Sequence, residues 1–188
     1  MTTSVLDRDI DRVLLTQEEI TRVTARIAAM IDRDFKNSKR LLLLGILKGS
    51  VVFMGDLMKK LTVPVEIDFM KVSSYADGTE SSGRINILLD LNRHDLSECD
   101  IVIVEDIIDS GRTLSYLVEY LRLNGAKSVS TCTLLDKPSR RIVDFKPDYV
   151  GYEIPDEFVV GYGLDYAEQY RTLPYIGILK PQIYQKKD

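Results

Sequence analysis

The sequence is short of cysteine and histidine, has no excess of positive charge and contains no long apolar run. Its two cysteines, Cys99 and Cys132, give neither a disulfide framework nor metal-ligand spacing, so free thiols in a reducing compartment are expected. The single histidine, His94, sits among Asn92, Arg93 and Asp95 and reads as part of a surface turn. Lys and Arg number 25 against 29 Asp and Glu, a net charge of -4, which argues against non-specific nucleic-acid binding as the main task. The strongest apolar run, Leu41 to Leu47, falls far below the roughly 20 residues that cross a bilayer. The N-terminal MTTSVLDRDIDR alternates acids and bases without the apolar core of a leader. A cytoplasmic protein with no membrane segment and no nucleic-acid partner is therefore expected. At 188 residues the chain reads as one domain, 1–188, able to bury roughly 70% of its unfolded surface.

What is present centres on IVIVEDIIDSGRTL, from Ile101 to Leu114. Ile101 to Val104 are β-branched and read as a buried parallel strand. Glu105 and Asp106 follow, then a short turn, then Ser110, Gly111 and Thr113 where a helix begins. The helix is expected because Leu114, Leu117, Val118 and Leu121 share one face and Asn124-Gly125 supplies a left-handed stop. A helix N-terminus presents unpaired N–H groups and the positive end of its dipole, which attract a phosphate. Gly111 leaves room for close approach, Ser110 and Thr113 carry hydroxyl donors, and Arg112 adds a cation. Glu105, Asp106 and Asp109 would repel a bare phosphate. A ligand with vicinal hydroxyls and a divalent metal as well as phosphate would use them.

Taken alone, the string could be a capped helix behind a solvated acidic turn. As a whole, it closely resembles the diphosphate-sugar signature of the type I phosphoribosyltransferases. The resemblance implies that Glu105 and Asp106 face the ribose hydroxyls and that Asp109, Ser110, Gly111, Arg112 and Thr113 hold the 5-phosphate. An acid at position 109 is similar to the 6-oxopurine branch of the family; the orotate and adenine branches usually carry a small or hydroxylated residue there. In that branch Asp109 would handle the proton at the purine N7.

In chain order, a first helix is expected from the capping-box pair Thr16 and Glu19 and the stripe Ile20, Val23, Ile27, Met30 and Ile31. Leu41 to Leu47 reads as a strand, followed by Lys48-Gly49-Ser50 and a helix marked by Val51, Met54, Leu57, Met58 and Leu61. This repeats the pattern of strand, glycine loop and helix start. Lys48 and Gly49 resemble the family's first loop, which touches pyrophosphate and whose Leu-Lys peptide is often cis. Pro64 to Val72 reads as a strand and Arg84 to Leu89 as its returning partner. Between them, Ser73 to Gly83 is rich in Ser and Gly, and Ser74-Tyr75 resembles the family's flexible lid, about 73–83. Val129 to Leu135 is another buried strand, ending in the basic DKPSRR, where Arg140 and Arg141 read as a solvated turn. Lys137 matches the family lysine that donates to the exocyclic oxygen of the purine, and LLDKPSRR looks like the bacterial form. From Tyr149 to Tyr170 irregular structure over a pocket is expected. FVVGYGLDY is similar to the family's base-binding hood, with Phe158 stacking on the base, Val159 offering backbone groups, Asp165 near base and metal, and Arg171 on the pyrophosphate. Tyr175 to Leu179 closes as a strand, and the tail QIYQKKD reads as frayed.

The resemblance implies an α/β fold with a central, mostly parallel sheet flanked by helices. A small hood, from part of the N-terminus and about 150–188, would cover the base. It implies transfer from 5-phosphoribosyl 1-diphosphate to hypoxanthine, and to guanine, giving IMP or GMP and pyrophosphate. Mg²⁺ would sit near Glu105, Asp106 and Asp165, in a homodimer or homotetramer. Two rivals share these residues: a nucleotide-sensing regulator on the same fold that binds RNA or DNA, and a Mg²⁺-dependent phosphohydrolase.

Overall fold

The apolar runs become central strands because both of their faces are covered. In the computed structural model, which describes residues 5–74 and 85–185, a 3-10 turn at Asp7–Asp9 leads into strand β1, Ile10–Leu15, and helix α1, Gln17–Phe35. Thr16 and Glu19 close the expected capping box: Glu19 N–H donates to Thr16 Oγ1 at 3.2 Å and Thr16 N–H to Glu19 Oε2 at 2.8 Å. Next come β2 (Leu41–Leu47), α2 (Ser50–Met58), β3 (Val65–Ser74), β4 (Ile85–Leu89), β5 (Asp100–Ile108) and α3 (Arg112–Leu123). The chain finishes with β6 (Ser128–Asp136), β7 (Tyr149–Glu153), β8 (Val159–Val160), β9 (Ile176–Leu179) and α4 (Pro181–Tyr184).

Six strands form the main sheet in the order β4-β3-β2-β5-β6-β7, parallel throughout except for the β3–β4 pair at one edge. Alternation along β2 divides its side chains between two cores. Leu41 and Leu43 join Val102 and Val104 against Ile20, Ile27 and Ile31 of α1 and Phe53 and Leu57 of α2. Leu42 and Leu44 join Ile101 and Ile103 against Leu114, Leu117 and Leu121 of α3. Each such buried side chain contributes about 1.5–3 kcal/mol, and burial of both faces is why β2 reads as an unbroken apolar run. A second sheet, antiparallel in the order β1-β9-β8, forms the hood.

The structure corrects several sequence expectations. The chain does not open with α1: residues 10–15 form β1, whose partner β9 lies at the opposite end of the sequence, so no local signal marks it. Strand β5 does not stop at Val104. It runs on through Glu105 and Asp106 to Ile108, paired with β6 as far as Asp136, so the two acids belong to the strand. The stretch from Tyr149 is not wholly irregular, since β7 joins the main sheet beside β6. Part of the tail is helical, as α4. Leu61 lies beyond the end of α2. The expected lid falls mostly outside the described residues, Tyr75 included; Ser74 is the last residue of β3, paired with Ile85.

Candidate active site

Parallel β2, β5 and β6 end on one edge of the sheet, where ligands of open α/β sheets bind. After β5 the chain turns through Gly111, at φ +81°, into α3. L side chains rarely adopt that conformation, so the glycine is required there. Glu105, Asp109, Ser110, Gly111 and Thr113 line a cavity of about 140 Å³ at this turn. Among the described residues, the backbone N–H groups of Ser110, Gly111 and Thr113 have no acceptor. Three orphan donors with two hydroxyls at a helix start form an anion cradle. Arg112, expected here too, is exposed and does not line the cavity.

Asp109 also lines a neighbouring cavity of about 240 Å³, together with Asp106, Lys137, Phe158, Val159 and Asp165. The four residues expected at the base thus come from β6 and the hood to one place. Lys137 is buried, and its Nζ lies 3.8 Å from Asp109 Oδ1, too far for a direct hydrogen bond, so its donors remain available to a ligand. Phe158 stacks on Tyr184 with ring centroids 4.6 Å apart and meets Tyr166 edge-on at 5.6 Å. Tyr184 had read as part of a frayed tail. The Phe158 carbonyl accepts from Leu179 N–H at 2.9 Å, which makes Val159 and Ile178 a non-hydrogen-bonded pair of that ladder. Val159 therefore turns its N–H and C=O away from β9, and β8 is an edge strand. These groups are free for the rim of a base.

The first loop lies against both neighbours. Its Leu47-Lys48 peptide is cis. A Cβ on Gly49 would fall 1.7 Å from Asp106 Oδ2, and a Cβ on Gly163 of the hood would fall 2.2 Å from Gly49 O. Tyr162 OH reaches Asp56 of α2 at 2.6 Å, so the hood rests on the first loop and its helix. Lys48 Nζ is 3.1 Å from both carboxylate oxygens of Glu168. Arg171 donates to Gly163 O at 2.7 Å and pairs with Asp165 at 2.8 Å and Glu168 at 3.3 Å, while its buried Nε has no partner. Both cations expected at the pyrophosphate are thus held by Glu168, a residue the sequence did not single out. Its backbone, at φ +64°, stands in a strained left-handed turn.

Burial drives the Glu105 carboxyl well above its ordinary range, with the Asp106 carboxylate beside it pushing the same way. Burial also raises Asp106, partly offset by hydrogen bonds from Glu105 and the Ile107 N–H. Two adjacent carboxyls in a dry site share a proton more readily than they ionise together. Glu105 Oε2 is closed to solvent and unpaired, a state that persists where a ligand supplies the missing partner.

A strand-edge site with an anion cradle, a buried acid pair and an aromatic-lined cavity beside them fits an enzyme acting on a phosphorylated ligand. A family model described as phosphoribosyl transferase domain matches residues 13–167, and the chain belongs to that family of enzymes. The hypoxanthine-guanine phosphoribosyltransferase of Bacillus subtilis is 51% identical over 181 residues, 96% of this chain and 99% of the relative. A counterpart of the same name from Streptococcus pyogenes is 48% identical, over 97% of this chain and all of its own. A crystal structure of a hypoxanthine phosphoribosyltransferase from Staphylococcus aureus superposes with a TM-score of 0.93 at 47% identity, covering 99% of this chain and 100% of that one.

Proposed function

We propose that the protein transfers the phosphoribosyl group of 5-phosphoribosyl 1-diphosphate to a 6-oxopurine, making IMP from hypoxanthine, and GMP from guanine, with release of pyrophosphate. The observation that carries this reading is that Asp109 lines both cavities, which puts an anion cradle and a base slot side by side. The close relatives named above support the choice of base.

In this reading Ser110, Gly111 and Thr113 hold the 5-phosphate, and Glu105 and Asp106 accept from the ribose hydroxyls. Phe158 offers the base its face, Val159 its backbone groups, and Lys137 a donor to the 6-oxo oxygen. Lys48, Gly49 and Arg171 receive the pyrophosphate, and Glu168 must give up both cations for that to happen. As the bond to pyrophosphate breaks, carbon 1 of the sugar becomes oxocarbenium-like, and the purine nitrogen adds from the opposite face with inversion. The base N7 loses its proton to Asp109, in the manner of a positioned general base.

Among the described residues, no three His, Cys, Asp or Glu side chains converge as a metal cage. The donors present, carboxylates of Glu105, Asp106 and Asp165 with one buried oxygen unpaired, fit Mg²⁺, which takes few protein carboxylates and leans on substrate phosphates. When bound it would neutralise charge on the leaving group.

Self-association is supported by exposed Val51, Val52 and Met58 on α2. No helix among the described residues is long and apolar enough to cross a membrane. A nucleic-acid regulator would be favoured by a free basic face, but four cations around the site pair with acids: Lys48 with Glu168, Arg171 with Asp165, Arg140 with Asp156, Arg141 with Asp136. Incubation with Mg²⁺, 5-phosphoribosyl 1-diphosphate and hypoxanthine tests the reading, with IMP followed by absorbance. IMP and pyrophosphate in equal amounts are expected. Inorganic phosphate without any purine would favour the hydrolase instead.

A further inference from the structure

Arg140 and Arg141 look alike in the sequence and part company in the structure. The Arg140 side chain is 56% exposed and pairs with Asp156, also near the surface. The Arg141 side chain is 15% exposed and lies beneath the phosphate loop. Its Nε donates to the Asp109 carbonyl at 3.0 Å, one terminal nitrogen to the Phe145 carbonyl at 2.6 Å, and the other pairs with Asp136 at the end of β6. A Cβ on Gly111 would come within 2.8 Å of Arg141 Cδ, so the loop rests directly on the arginine stem.

Three consecutive loop carbonyls are tethered to this one segment. Ile108 O accepts from Lys137 N–H at 3.0 Å, Asp109 O from Arg141, and Ser110 O from Ile142 N–H at 3.1 Å. In a trans peptide the C=O and the following N–H point in opposite directions. Tying the Asp109 and Ser110 carbonyls to the 137–142 segment therefore turns the N–H groups of Ser110 and Gly111 the other way, and these are donors without acceptors among the described residues. The three acceptors sit on the three separate nitrogens of the planar guanidinium, and the single nitrogen of an ammonium does not reproduce that fork.

We infer that Arg141 is a positioning residue of the transfer site, one that sets the direction of the backbone donors in the phosphate cradle. This rests on the phosphoribosyl reading above. The fork fixes the direction of donors it never shares with the ligand, so its loss should weaken phosphate binding while leaving the base slot, built from Lys137 and the hood, in place.

The test is calorimetric binding of ribose 5-phosphate together with steady-state KM values for 5-phosphoribosyl 1-diphosphate and hypoxanthine, on wild type, Arg141→Ala, Arg141→Lys and Arg140→Ala. Arg141→Ala leaves Asp136 buried without its partner and can fail to fold; Arg141→Lys keeps a charge beside Asp136 and carries the test in that event. Arg141→Lys is expected to bind ribose 5-phosphate about tenfold or more weakly, the scale of one charge-assisted hydrogen bond, to raise the KM for the diphosphate in step, and to leave the KM for hypoxanthine unchanged. Arg140→Ala should match wild type throughout. Wild-type ribose 5-phosphate affinity in Arg141→Lys would overturn the inference, as would equal losses for both substrates with a lowered Tm, the mark of a merely structural role. If wild type itself failed to bind ribose 5-phosphate, the phosphoribosyl reading would fall and this inference with it.

Discussion

Gly49 touches Asp106 so closely that a single added carbon would stand 1.7 Å from its Oδ2 and 2.5 Å from its Cγ. Because Gly163 packs on the Gly49 carbonyl from the other side, with 2.2 Å for the equivalent carbon, the sheet acid, the first loop and the hood are stacked with no side chain between them. The position of Asp106, the acid proposed to face the ribose, is thus set by the loop proposed to take the pyrophosphate.

Gly49→Ala tests this contact without a conformational objection, since Gly49 has φ -61° and ψ -36°, where alanine is favoured. Any loss therefore comes from the displaced Asp106. The account expects kcat/KM to fall on the order of 10²-fold, the usual result of a misplacement near 1 Å, with Tm lowered by the overpacking, a cost of about 1–3 kcal/mol. Steady-state kinetics beside a thermal melt check it.

Glu168 holds Lys48 and Arg171 in the ligand-free protein and would have to release them to pyrophosphate. Hydrogen bonds from Lys48, and then Arg171, keep its carboxyl below the usual range, so it is charged at neutral pH. Glu168→Gln should tighten product inhibition by pyrophosphate about two- to fivefold, the modest scale of exposed ion pairs, with Tm unmoved. Weaker inhibition in the variant would make Glu168 a helper of pyrophosphate binding rather than its competitor.

The buried acid pair predicts an unusual pH dependence. With its folded-state pKa raised, Glu105 opposes folding once ionised; its contribution is fully favourable below its ordinary value of 4.5 and is lost as pH rises from there through the raised value. Other carboxyls, such as Glu66 held low by Arg40 and Arg93, act with the opposite sign, so the difference between variants is the readout. Ligand-free Glu105→Gln should match wild type near pH 4 and melt progressively higher than wild type as the pH rises from there, while binding 5-phosphoribosyl 1-diphosphate less well. A constant offset across that range would mean that Glu105 titrates normally.

Asp109→Asn removes the proposed proton acceptor and preserves shape. Turnover is expected to fall by roughly 10² to 10⁴, with substrate KM values far less affected. Full turnover in the variant would remove the base role from Asp109.

Much of this was legible in the letters where burial or chain geometry leaves a local mark. Two-sided burial made β2 and β5 apolar runs, one-sided burial striped α1 and α3, and the capping box and the phosphate loop are each built from residues close together in the chain. Of the hood sheet only β9 was legible, as the strand expected from Tyr175 to Leu179; β1 finds β9 only across the length of the chain, and β8 is two residues long. The extension of β5 was missed because paired acids read as a strand end, although here they face cavities that relieve them of apolar neighbours. Arg141 and Glu168 escaped for a different reason: one acts on backbone carbonyls and the other on distant cations, and neither relation has a spacing.

The most direct test of the account is the ratio of kcat/KM for hypoxanthine to that for adenine. The buried Lys137 donor beside Asp109 should accept a 6-oxo group and reject a 6-amino group, and sites built on such hydrogen bonds discriminate by about 10⁴ or more. The account predicts a preference for hypoxanthine of that order, reduced sharply in Lys137→Ala. Adenine used within about tenfold of hypoxanthine by the wild-type protein would contradict it.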